Sequence, residues 1–252
     1  MKKDILIFLF TLIVSVATLN AQNNQNIRDK INSLLQNNVI ELDNEELKSF
    51  TNTDFEKEII SKLKKTDSTK DVADAVSDYI EIGNYEIVNA IRLNNDNLFL
   101  NYLIRSDDNI HPKQDASEKF FGHTKVKHHV ILIYNIMEKQ ITEINYMSVQ
   151  YTPILFQKYE YNGKSILYGI GNNSSFGMAI TDIYFLALSA KNLELLFSEC
   201  ILFSQSFFSK EIEDIKFEKD FIFKEDKIEI TGKDFDFKKK EYADYTKIYN
   251  LY

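Results

Sequence analysis

The sequence predicts an α+β protein: an N-terminal helical segment, residues 22–93, packed on a C-terminal antiparallel β-meander sheet of eight to ten strands, residues 94–252. Before Asn94 the apolar residues recur at intervals of three and four, the spacing of one face of a helix. After Asn94 they alternate with polar residues or form short runs of β-branched and aromatic side chains, as strands do. No linker rich in Pro, Gly or Ser separates the two parts. We therefore expect one domain with the helices covering one face of the sheet.

About four short helices are expected in the N-terminal segment. Their apolar stripes are Ile27, Ile31, Leu34 and Leu35; Phe55, Ile59, Ile60 and Leu63; Val72, Val76, Tyr79 and Ile80; and, for a short fourth helix, Ile87, Val88 and Ile91. Two helix starts are also indicated, because Asp43 with Glu46 and Thr53 with Glu56 have the spacing of a capping box.

The β-rich region contains repeated strand and turn signals. The predicted strands are 97–105, 126–136, 140–150, 155–161, 164–170, 180–188, 193–203, 217–224 and 227–231, with the tail 242–252 as a candidate last strand. The clearest turn is Asn162-Gly163, because both residue types tolerate the positive φ angles of a type I′ hairpin. Successive hairpins without helices between them imply a meander.

The first 21 residues have the organisation of a cleavable signal peptide. Lys2 and Lys3 precede the apolar run 5–19, and the small residue Ala21 precedes the polar start of the mature chain at Gln22. The apolar run is short for a membrane span, and no later segment is apolar for long enough to be one. We therefore expect a periplasmic or secreted protein without a membrane span in its mature chain. The alternative is an uncleaved N-terminal anchor.

Composition excludes several function classes. The formal net charge of −8 argues against nucleic-acid binding, which calls for a basic surface. Cys200 is the only cysteine, so an internal disulfide cannot form. We expect Cys200 to be a small buried apolar residue rather than a nucleophile, because Ile201 and Leu202 follow it.

The four histidines do not predict a metal site. If residues 122–133 form one strand, His123 and His129 share a face and His128 points to the other. Two same-face histidines six residues apart are separated by roughly 20 Å, too far to share a metal ion. His111 lies in a predicted loop. No cofactor is expected.

The most glycine-rich stretch, residues 169–177, is predicted to be a wide hairpin loop. Its spacing matches neither the phosphate-binding motifs nor the GxSxG motif of hydrolases. Because binding residues concentrate on loops held by rigid sheets, this loop is the candidate ligand or partner site. The candidate residues are Asn172, Asn173, Ser174, Ser175 and Phe176.

Two functions remain open from the sequence. The first is a non-catalytic binding or protein-interaction protein of the cell envelope, whose partner is another envelope or secreted protein. The acidic charge, the aromatic-rich strands and the missing catalytic motifs favour it. The second is a periplasmic or secreted hydrolase acting on a cell-wall or dietary polymer, which requires converging carboxylates or histidines in a cleft. No catalytic residue can be named from the sequence.

Overall fold

A computed structural model describes residues 29–34, 36, 38–67, 69–105, 126–150, 153–175, 178–189, 192–205 and 214–251. The helices are a segment at 29–34, α1 (Asn44–Ser49), α2 (Thr53–Lys65) and α3 (Lys70–Glu81). The strands are β1 (Tyr85–Arg92), β2 (Asn97–Ile104), β3 (Val126–Asn135), β4 (Gln140–Gln150), β5 (Leu155–Tyr161), β6 (Lys164–Ser175), β7 (Met178–Ser189), β8 (Asn192–Gln205), β9 (Ile215–Lys224), β10 (Lys227–Asp236) and β11 (Glu241–Asn250). The predicted α+β class is confirmed.

The predicted helix starts are partly confirmed. Asp43 and Glu46 form the expected capping box at α1: Asp43 Oδ1 accepts from the Glu46 amide at 2.9 Å, and Glu46 Oε2 accepts from the Asp43 amide at 3.1 Å. At α2 the capping residue is Asn52 instead of Thr53, since the Asn52 side chain accepts from the amides of Asp54 and Phe55. The capping residue therefore lies one position earlier than predicted. An asparagine side chain caps a helix at least as well as a threonine hydroxyl, which allows this.

The predicted fourth helix is wrong, because Ile87, Val88 and Ile91 lie in strand β1. Both faces of β1 are buried near its end, so its apolar residues do not alternate with polar ones. A register shift between Ile87 and Asn89 disturbs the period further. Both effects remove the signal by which a half-buried strand is told from a helix.

The strands form two sheets, so the predicted single meander is not confirmed. β1 to β4 form a four-stranded sheet and β5 to β11 a seven-stranded one, each in chain order and antiparallel throughout. The predicted turn at Asn162-Gly163 is present, with φ angles of 50° and 71°. Sequential pairing was therefore predicted correctly, and the break between β4 and β5 was missed.

The four-stranded sheet is the middle layer of the molecule. On one face, α2 and α3 pack their apolar stripes onto the sheet, with Leu63 and Val76 meeting Leu100 and Leu132 in one core. The other face meets the beginning of the seven-stranded sheet, where Phe99 lies edge-on to Phe156 at 5.4 Å between ring centroids. Strand β2 is consequently buried along its whole length. The helices cover one face of a sheet, as predicted.

The seven-stranded sheet curls around a core of its own. Tyr159 on β5 stacks on Phe223 of β9 at 4.1 Å, and Phe197 on β8 stacks on Tyr249 of β11 at 3.7 Å. These strands are not neighbours in the sheet, so only strong curvature brings their side chains together. The helical segment 29–34 completes this core with Ile31 and Leu34. None of the helices in the described ranges is long and apolar enough to cross a membrane.

Candidate functional site

The predicted binding residues lie at the end of a strand. Asn172 to Ser175 are the last residues of β6, and their backbones pair with Thr181 to Met178 of β7. The predicted wide loop is therefore wrong for these four positions, because the ladder continues further than the glycine content indicates. Phe176 lies outside the described residues. A binding role for the five residues stays a prediction.

His128, His129 and Cys200, which the structure describes, do not come together in a reactive site. His128 and His129 point to opposite faces of β3, where His128 contacts the Tyr146 hydroxyl and His129 contacts Asn101. His111 and His123 lie outside the described residues. Among the residues that are described, no group of three or more His, Cys, Asp or Glu side chains could hold a metal ion. Cys200 is half-buried on β8, where its thiol donates to the Leu202 carbonyl at 3.5 Å, so its predicted burial is only partial.

A buried polar cluster joins the two sheets. Asn89, on β1, accepts from the Phe156 amide at 2.8 Å and donates to the Phe156 carbonyl at 3.2 Å. Asn101, on β2, donates to the Ile154 carbonyl at 2.9 Å, and His129 Nε2 accepts from the Ile154 amide at 3.2 Å. Three side chains of one sheet thus hydrogen-bond to the backbone groups along the free edge of β5. This explains why β5 meets a face of the four-stranded sheet instead of extending it.

The histidine of this cluster is held neutral. His129 is fully buried, and its Nδ1 lies 2.8 Å from Asn101 Oδ1. Burial lowers the pKa of His129 from 6.5 to about 3, and the nearby His128 and Lys127 act in the same direction. A neutral ring with its proton on Nδ1 donates to Asn101 and accepts at Nε2, which satisfies both nitrogens.

A second polar cluster lies inside the curled sheet around Glu199 of β8 and Lys219 of β9. Lys219 is only 2% exposed and pairs with Glu199 at 3.0 Å and with Asp234 at 2.7 Å. The hydroxyls of Tyr245 and Tyr249 donate to the other Glu199 oxygen at 2.9 and 2.6 Å. Side chains from four strands, β8 to β11, therefore meet in one cluster.

The pKa of the Glu199 carboxylate is determined by its contacts within this cluster. Burial by itself raises the pKa of Glu199, but hydrogen bonds from Tyr249, Lys219 and Tyr245 outweigh it and hold the pKa below its usual value. Burial and the same carboxylate raise the pKa of both tyrosines well above 10. Glu199 and the two tyrosines are thus held in their ordinary charge states, which suits a structural ion pair better than proton transfer.

At three of the four sheet edges in the described part of the chain, other groups hydrogen-bond to some of the outer backbone positions. The β1 edge pairs with residues 39–41, since Ala90 donates to the Val39 carbonyl and accepts from the Glu41 amide. At the β4 edge, Glu58 of α2 accepts from the Ile141 amide at 2.8 Å. The β5 edge is occupied by the asparagine and histidine side chains named above. Such covers prevent unwanted strand pairing.

The fourth edge, β11, is open as far as the described residues show. β11 pairs with β10 over ten residues without a register shift, from Glu241↔Asp236 to Asn250↔Lys227. Within the described ranges, no strand or backbone segment pairs with its other side. The strand contains no proline and no bulge, which are two of the devices that protect an edge.

Alternate side chains of β11 point away from the core of the curled sheet, and this outward row is partly apolar. Tyr242 is 46% exposed and Ile248 is 60% exposed, and Ile222, aligned with Ile248 two strands inward, is 49% exposed. Asp244 and Thr246 lie between them. A strand added here would match this row with apolar side chains opposite Tyr242 and Ile248 and a basic one opposite Asp244. The sequence indicated residues 242–252 as a candidate last strand, and sequence alternation does not reveal which strand lies at an edge.

Comparison of the chain with protein-family models, with curated proteins and with solved structures found no match.

Proposed function

We propose that this protein is an exported, non-catalytic binding protein that takes up an extended segment of another envelope or secreted protein as an added strand beside β11. The single observation that carries the proposal is the contrast between edges: at three of them named groups hydrogen-bond to outer backbone positions, and at β11 no group in the described residues does so. Main-chain hydrogen bonds to an open edge supply affinity in strand addition, and the alternating side chains supply specificity. The partner segment is extended, with apolar residues six positions apart and a basic residue between them.

The Glu199 cluster gives the alternative hydrolase function no support. A hydrolase needs a carboxylate that is available to give or take a proton at the substrate. Both oxygens of Glu199 are instead occupied by Lys219 and the two tyrosine hydroxyls. The cluster stabilises the curvature of the sheet.

The binding proposal is tested by placing lysines on the edge. The double variant Tyr242→Lys/Ile248→Lys puts two charges where the partner would bury apolar side chains, and we expect at least a tenfold loss of affinity, about 1.4 kcal/mol. Met137→Lys is the matched control, because Met137 is 75% exposed in the turn between β3 and β4, away from β11. Partners captured from periplasmic and culture fractions would be identified by mass spectrometry and titrated against all three proteins.

Support requires that capture fails for the edge variant, persists for the control, and protects β11 amides from hydrogen exchange. A partner that binds the edge variant as tightly as the wild type would contradict the proposal. Sedimentation of the protein alone distinguishes a foreign partner from self-association, in which a second copy would occupy the same edge.

Export is tested separately. We expect protein isolated from the periplasm or medium to begin at Gln22, as read by intact mass. Protein that retains residues 1–21 in the membrane fraction would instead indicate an anchored form. Replacing Ala21 with a bulky residue should block processing, because the peptidase pocket accepts a small side chain there.

A further inference from the structure

The contact between β5 and the four-stranded sheet requires one protonation state of His129. The Ile154 amide, 3.2 Å from His129 Nε2, can only donate a hydrogen bond. Nε2 must therefore be unprotonated in this contact. The remaining ring proton lies on Nδ1, which faces Asn101 Oδ1 at 2.8 Å. A proton added to Nε2 would point directly at the Ile154 N–H.

We infer that His129 makes the junction between the two sheets acid-sensitive: protonation of its Nε2 separates Ile154 from β3 and detaches β5 from the four-stranded sheet. Asn101 hydrogen-bonds to both His129 and Ile154, so protonation of His129 disturbs the whole contact at Ile154. Detachment would expose the backbone groups along the edge of β5 that are now covered. The inference concerns the opening of the fold and is independent of the binding proposed at β11.

Among the described residues, none beside His129 offers an added proton a stabilising partner. The charged or titratable groups that act on the ring are Lys127 and His128 of its own strand, and both disfavour a second positive charge. The residues beside it on the other packed strands are Leu103 on β2 and Met147 on β4, with Ile154 at the start of β5; none of them titrates. Protonation is therefore accommodated by opening the contact and not by a buried ion pair.

The direction of the pH effect follows from linkage. In the opened state, His129 is solvated and titrates near 6.5, whereas the closed junction lowers its pKa to about 3. Above pH 6.5 the ring is neutral in both states, and the junction is fully stable. Between pH 6.5 and 3 only the opened state takes up the proton, so the opening equilibrium rises roughly tenfold per pH unit, about 100-fold at pH 4.5.

Native-state hydrogen exchange on the full chain at pH 7 and pH 4.5, corrected for the intrinsic exchange rate, measures this opening. The reporters are the amides of Ile154 and Phe156, which donate across the junction, and the amide of Leu100 in central strand β2 is the reference. We expect the two reporters to lose about 100-fold protection at pH 4.5 while Leu100 keeps its protection.

Two glutamine variants test whether the pH effect arises from His129. His129→Gln keeps a donor and an acceptor without a titratable group, so the pH dependence of the reporters should disappear. His128→Gln is the matched control on the opposite face of β3, and the pH dependence of the reporters should persist in it. Reporters that stay protected at pH 4.5 in the wild type, or that lose protection equally in His129→Gln, would overturn the inference.

A measurement on the wild type decides the question if His129→Gln does not fold at pH 7. Nitrogen NMR of the histidine rings follows the protonation of His129 directly. We expect His129 to remain neutral with its proton on Nδ1 until the Ile154 amide loses protection, with one common midpoint. A ring that becomes charged while Ile154 remains protected would refute the inference.

Discussion

The Asn89 side chain hydrogen-bonds to both backbone groups of Phe156, as a neighbouring strand would. One amide side chain thereby replaces a strand partner at the edge of β5. The contact links β1 to β5 across 67 positions of the chain and lies in a fully buried site. It is the clearest case in this molecule of a polar residue that determines how two sheets meet.

Replacing Asn89 with valine should strongly destabilise the protein. The variant leaves the Phe156 amide and carbonyl buried without partners, which costs about 2–4 kcal/mol for the two groups. Urea unfolding followed by circular dichroism would measure the loss, since the chain has no tryptophan. Asn250→Val is the control, because Asn250 is exposed and should change stability by less than about 0.5 kcal/mol. Equal stabilities for the two variants would contradict the assigned role of Asn89.

Gly232 cannot be replaced by alanine without moving the backbone. A Cβ at this position would lie 2.3 Å from the Glu218 carbonyl oxygen and 2.7 Å from Lys219 Cα. We expect Gly232→Ala to lower the free energy of unfolding by about 2–4 kcal/mol.

The control is Gly163→Ala in the turn between β5 and β6. Nothing lies within 4 Å of a Cβ at Gly163, although its φ of +71° disfavours alanine. Its cost should be only about 1–2 kcal/mol. If thermal unfolding showed Gly163→Ala to be the more damaging change, close packing at Gly232 would not be the dominant effect.

Lys219→Met tests the ion cluster inside the curled sheet. Methionine keeps most of the volume but leaves Glu199 and Asp234 without their shared cation, a loss of about 3–5 kcal/mol for a buried pair. The double variant Lys219→Met/Glu199→Gln should recover part of the loss, because it also removes one of the two carboxylates that lose Lys219. Lys216→Met serves as the exposed control on the same strand. A double variant less stable than the single one would argue against charge as the cause.

The Glu199 cluster also predicts a pH dependence. Since its folded pKa lies below the usual value of 4.5, Glu199 contributes stability that is complete above that value. The contribution is lost as the pH falls through the folded pKa, because the unfolded chain takes up the proton first.

Comparing unfolding of the wild type and Glu199→Gln between pH 6 and pH 3 isolates this contribution. The stability difference should be constant from pH 6 to about 5 and should shrink below 4.5. A difference that stayed constant down to pH 3 would show that Glu199 titrates identically in both states.

Local sequence patterns were sufficient for most elements. The strands 140–150 and 155–161 were predicted with the bounds the structure shows, because each is a half-buried run ending in turn residues. The capping box of Asp43 and Glu46 was predictable for a similar reason, since all its partners lie within three residues. These features depend on neighbours in the chain.

The fold of the sheets and the candidate site depended on distant contacts. Nothing in the sequence around Asn89 indicates its role between the sheets. Strand β1 was predicted to be a helix, because both of its faces are buried by other layers. The exposure of Tyr242 and Ile248 likewise depends on β11 lying at an open edge.

The sequence by itself determined the α+β class, the order of most strands and their sequential antiparallel pairing, because propensity and turn chemistry act over a few residues. Only the tertiary structure decided that the strands divide into two sheets, that His129 is enclosed between them and that β11 is left uncovered. Those outcomes depend on buried polar groups and their partners, which lie far apart in the chain. No short sequence window contains both partners.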